Sequence, residues 1–87
     1  MPSDRAAKRH ATREQICSGI ASILLKERLK QGLTRTEVAG QAGLNRQTIA
    51  FIETQERMPT IDTLLRVSDV LSLKLEDIVR KAREGAV

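Results

Sequence analysis

The chain has 87 residues, a formal net charge of +4 and a pI near 9.8, which describes one small basic domain. Its only cysteine, Cys17, excludes an intrachain disulfide and a cysteine metal cluster; its only histidine, His10, has no ligand company, so no structural metal or other cofactor is expected. No apolar run approaches the roughly 20 residues that cross a bilayer, and residues 16–25, broken by Ser18, Gly19 and Ser22, lead to no cleavage-site pattern, so a cytoplasmic protein with no membrane partner is expected.

Residues 1–12 open the chain as a basic arm that is expected to be flexible. Through Arg13 it carries Arg5, Lys8, Arg9 and Arg13 against Asp4 alone, so most of the net charge is gathered there. Such an arm suits a polyanion partner, or is a solvated tail with no partner. A helix-bearing domain follows over residues 13–83. Thr12-Arg13-Glu14-Gln15 is a capping box that starts a first helix at about residue 13, with Ile16, Ile20, Ile23 and Leu24 at helical spacing and Gly32 beyond its end. Leu25 and Leu29 extend the apolar arc past half the circumference, where about 100° suffices for a helix packed on one side. The width fits a central, mostly buried helix or, alternatively, a second packing surface such as a dimer seam.

Thr34-Arg35-Thr36-Glu37 is a second capping box. It begins a short helix with Val38, Ala39 and Ala42, and Gly43 ends it in a left-handed turn. Asn45 caps a third helix, in which Ile49 and Ile52 face inward together with Leu44. "TQERMPT" is a loop closed by Pro59, and Thr60 caps a fourth helix filled by Leu64, Leu65, Val67, Val70 and Leu71. A break at residues 72–74 precedes a fifth helix over about 75–83 with Ile78 and Val79; residues 84–87 are expected to fray. The fold class is all-α, with five helices and short connections.

Helix, tight turn, helix at this spacing is the arrangement in which the second helix of the pair enters a DNA major groove. The stretch "GLTRTEVAGQAGLNRQTIAFIETQERMPTIDTLLRVSDVL" resembles the Cro and phage-repressor (Xre-like) family of helix-turn-helix proteins over roughly residues 20–80. The resemblance rests on the set of Ala39, Gly43, Ile49, Ile52, Glu53 and "RMPT" before "LLRVSDVL". It implies a lambda-repressor-like domain that binds double-stranded DNA, associated with the nucleoid. Three positions depart from the family pattern. Arg35 stands where glutamine is usual, no glycine is present around Gln55, and Ser72 and Lys74 replace a glycine and a good cap.

The outward face of the third helix holds Arg46, Gln47, Ala50, Phe51 and Thr54, and the resemblance turns that face to base edges. Gln47 suits adenine, Arg46 suits guanine or a phosphate, and Ala50 and Phe51 suit thymine methyl groups. Phe51, the only aromatic residue, could instead fold back on the second helix or on a partner subunit. Arg35, Asn45, Thr54 and Arg57 are the phosphate candidates, although each charge could also be merely solvated. Arg28 and Glu53 are expected to form a structural ion pair by the same resemblance. No nucleophile–base pair and no phosphate-cradling glycine loop is present, so no enzyme is expected. The reading is a sequence-specific transcriptional regulator, a repressor, acting as a homodimer on an inverted-repeat operator. The alternative is an antitoxin-type module that neutralises a toxin or other protein partner and regulates its own operon.

Overall fold

In the computed structural model, which describes residues 11–85, five helices follow in order: α1 (Arg13–Lys30), α2 (Arg35–Ala42), α3 (Arg46–Thr54), α4 (Ile61–Val70) and α5 (Leu75–Gly85). The described residues contain no strand. Arg5, Lys8 and Arg9 of the basic arm lie outside the described residues, as do residues 86–87. α5 runs to Gly85, so residues 84 and 85, expected to fray, are helical.

The helix starts follow from local chemistry. Both capping boxes form: the Thr12 and Thr34 hydroxyls accept from the Gln15 and Glu37 backbone N–H groups, and the Gln15 and Glu37 side chains accept in return. Bonding to the Thr34 backbone and hydroxyl holds the Glu37 carboxyl below the usual glutamate range. Asn45 and Thr60 cap α3 and α4 through their side-chain oxygens. α5 starts after Lys74, whose side chain has no acceptor to offer.

Ala39, Leu24, Val38, Ile49, Ile52, Leu64, Val67, Leu71 and Ile78 make the core. Each large aliphatic side chain buried there stabilises the fold by about 1.5–3 kcal/mol. α1 is not the mostly buried helix its apolar arc suggested. Only Ala21, Leu24 and Arg28 are buried along it, Ile16, Ile20, Ile23 and Leu25 are half-buried, and Leu29 faces solvent. The reason is that mainly α5 and α3 cover it, leaving the rest of its circumference open: α5 lies so close along α1 that a Cβ added at Gly19 would come within 2.9 Å of the Ala82 Cβ, and α3 is tied to it through Arg28 and Glu53. Leu65, expected to fill α4, also points outward.

Candidate nucleic-acid interface

The turn between α2 and α3 is set by Gly43, whose φ of 72° lies in the left-handed region. The Leu44 N–H then donates to the Ala39 carbonyl at 2.8 Å, closing the end of α2. Arg66 of α4 adds a long-range cap, its Nη1 donating to the Ala42 carbonyl at 3.4 Å while its Nε donates to Asp62. Across the turn, the Asn45 Oδ1 accepts from the Thr48 N–H at 2.8 Å and from the Thr48 hydroxyl at 3.0 Å. α3 thus starts from a fixed point.

From that start the helix divides into two sides. Ile49 and Ile52 are buried; Arg46 and Gln47 are exposed; Ala50 and Phe51 are half-buried on the outer side. The Phe51 ring has a cationic neighbour. The guanidinium of Arg57 lies over it, with the central carbon 4.5 Å from the ring centroid. The phosphate candidate Arg57 and the base candidate Phe51 therefore form one stacked unit at the C-terminal end of α3. Thr54 is less available. Its hydroxyl donates to the Ala50 carbonyl at 2.8 Å and has only one hydrogen to give.

The end of α3 is an adaptation to the absent glycine. Gln55 takes the left-handed C-cap conformation with φ 62°, and Ser72 does the same before α5 with φ 60°. For a side chain with a Cβ this costs roughly 1–2 kcal/mol.

Arg28 and Glu53 are paired. Arg28 Nε donates to Glu53 Oε2 at 2.6 Å and its Nη2 to Oε1 at 3.0 Å, while its Nη1 donates to the Leu33 carbonyl at 2.8 Å. Arg35 joins them: its Nε donates to Glu53 Oε1 at 2.8 Å. The side chains of Glu53 and Arg28 are 4% and 11% exposed, that of Arg35 31%. Burial alone would raise the Glu53 pKa, but the hydrogen bonds and charges of both arginines outweigh it and hold the carboxyl below the usual glutamate range. Arg35 and Arg46, the first residues of α2 and α3, line one open cleft with Thr34 and Thr36. The N-terminus of α2 brings its positive dipole end to that cleft. Among the described residues no three His, Cys, Asp or Glu side chains are arranged to hold a metal, and no helix is long and apolar enough to cross a membrane.

Four features escaped the sequence reading: the Arg57–Phe51 stack, the second arginine on Glu53, the Arg66 cap, and a set of exposed apolar side chains after α3. These are Met58, Ile61 and Leu65, 68%, 66% and 44% exposed. The separation of Ile61 and Leu65 by one helical turn was their only sequence signal.

Comparison with known proteins agrees with this geometry. A family profile described as "Helix-turn-helix" matches residues 24–78. Two uncharacterized HTH-type transcriptional regulators of Archaeoglobus fulgidus are similar, 31% and 33% identical over 51 residues, which is 59% of this chain and 73% and 72% of theirs. The restriction-modification controller protein C.Esp1396I is similar in structure, with a TM-score of 0.69 and 25% identity over 77% of this chain and 87% of that one. It is also known as a tetramer in complex with its natural 35-base-pair operator. The clp gene regulator ClgR of Corynebacterium glutamicum shares the fold, with a TM-score of 0.70 at 18% identity over 77% of this chain and 71% of that one. On its family match, its turn geometry and its helix order, the chain belongs to the Cro and phage-repressor type of helix-turn-helix proteins, a family of DNA-binding transcriptional regulators rather than enzymes.

Proposed function

We propose that this regulator reads a specific duplex sequence with α3 and acts as a homodimeric repressor on an inverted repeat. The observation that carries the reading is the two-sidedness of α3. Ile49 and Ile52 fix it to the core while Arg46, Gln47, Ala50 and Phe51 stand on the opposite side. These are residue types that recognise guanine, adenine and thymine methyl groups in the major groove. Arg35, Asn45 and Arg57 are the phosphate-contacting set that would fix the register. Thr54 would join them only by giving up its bond to Ala50. The basic arm at residues 1–12 would add counterion release at low salt.

The dimer face in this reading is drawn from the exposed apolar side chains Met58, Ile61 and Leu65, which follow α3 in the chain. Exposed apolar side chains suit a protein contact. A second copy docked there would set two α3 helices side by side, about 34 Å apart for sites one DNA turn apart. The operator complex of C.Esp1396I, a similar protein, supports an oligomeric mode.

Unbiased selection of bound duplexes from a random pool tests the proposal. An enriched inverted repeat with half-sites about one turn apart is the expected result. Enrichment of no sequence, alongside salt-insensitive binding to a protein partner, would instead support the antitoxin-type reading.

A further inference from the structure

The cleft between α2 and α3 contains two arginines directed at one carboxylate. Arg28 satisfies Glu53 in a two-point contact and is itself almost wholly buried. A single carboxylate neutralises one guanidinium, so the charge of Arg35 is left over. Its Nε is tethered to Glu53 Oε1, and about a third of its side chain remains exposed on the open cleft shared with Arg46. A guanidinium held through Nε keeps its two terminal nitrogens free for a second acceptor.

Resting on the DNA-binding reading above, we propose that Glu53 is a positioning residue for DNA binding: its buried carboxylate, charge-balanced by Arg28, tethers Arg35 with its terminal nitrogens presented to a backbone phosphate. The tether fixes a long, rotamer-rich side chain before DNA arrives, so less ordering entropy is lost on binding. A lysine at the same place would retain the charge. It has no Nε–H fork with which to bond the carboxylate and a phosphate together.

The test is a salt titration of binding to a mixed-sequence duplex of about two helical turns. The proteins compared are wild type, Arg35→Ala, Arg35→Lys, Glu53→Gln and the Arg35→Ala/Glu53→Gln double variant. Arg35→Ala is expected to weaken binding about tenfold and to reduce the salt slope by about one unit. Arg35→Lys should keep the wild-type slope but recover only part of the affinity. Glu53→Gln should weaken binding in the wild-type background and add no loss on top of Arg35→Ala, a result that mere loosening of the fold would not give. Thermal melts establish that each variant is folded; if Glu53→Gln is not, the lysine and alanine arms decide. Arg35→Lys binding as tightly as wild type would overturn the tether, and Arg35→Ala with an unchanged slope would overturn the phosphate contact. In both cases wild-type protein still binds duplex. Failure of the wild type to bind any duplex would overturn the DNA-binding reading itself.

Discussion

Phe51 is the residue whose placement is hardest to explain by stability. An aromatic side chain stabilises most when its ring is fully buried. Here the residue is only half-buried, and Arg57 lies over its ring. The outward position was legible from helical spacing, because Ile49 and Ile52 fix the inward side. The stack was not, because it depends on how the chain leaves α3. That exit turns on Gln55, whose left-handed backbone suits glycine. Gln55→Gly is expected to stabilise the fold by about 0.5–1 kcal/mol, since relief of the Cβ strain exceeds the added flexibility of the unfolded chain. The midpoint of urea unfolding checks it; a lower midpoint would mean that Gln55 makes a compensating contact. Glu53 gives a prediction in pH. Its folded pKa is depressed, so its stabilisation is present above the ordinary glutamate value of about 4.3 and is lost as pH falls through the folded value. Wild-type stability should therefore fall in that acid window more steeply than the stability of Glu53→Gln. Equal slopes in urea unfolding across the window would contradict the linkage. Truncating Glu53 at neutral pH should cost about 3–5 kcal/mol, because the buried Arg28 charge is stranded, whereas truncating Arg28 should cost less, because Arg35 still pairs with Glu53.

At the scale of elements, helix starts were legible and helix faces only partly so. Thr12–Gln15 and Thr34–Glu37 form their boxes through residues three apart, so the local sequence suffices. Arg66 reaching Ala42, and Arg35 reaching Glu53, depend on how helices cross, which no local pattern encodes. The wide arc of α1 misled for a related reason. Apolar periodicity reveals which residues are apolar and leaves open whether a neighbour covers them. α5 covers the Gly19 side, and Leu29 is left in solvent. Two glycines test the packing. Gly19→Val should destabilise by about 1–3 kcal/mol, since its Cβ would meet Ala82 at 2.9 Å. Gly40→Ala, with nothing within 4 Å of the added Cβ, should stabilise by roughly 0.5–1 kcal/mol through helix propensity. Thermal unfolding of the pair separates the two effects; equal shifts would refute the close α1–α5 approach.

At the scale of the whole molecule, the fold accounts for how α3 is held against the core, and the exposed Met58, Ile61 and Leu65 are the basis of the proposed pairing of two copies. Leu65 looked like core in the sequence because apolar periodicity does not separate exposed leucines from buried ones. With Ile61 and Met58 it forms the proposed dimer face. Ile61→Glu/Leu65→Glu should leave the monomer folded, since both side chains are exposed, and should shift sedimentation from dimer to monomer. Affinity for a two-half-site duplex should fall with it, because a single small module buries too little surface for tight specific binding. Unchanged sedimentation would move the interface elsewhere. The central claim, that the outward face of α3 reads bases, is tested most directly through Gln47. Wild type and Gln47→Ala are compared on the selected duplex and on the same duplex with single base-pair substitutions. The account predicts that Gln47→Ala loses about 1–3 kcal/mol on the selected site and becomes indifferent to one A·T pair, with little change on random DNA. Equal losses on selected and random duplexes would contradict it.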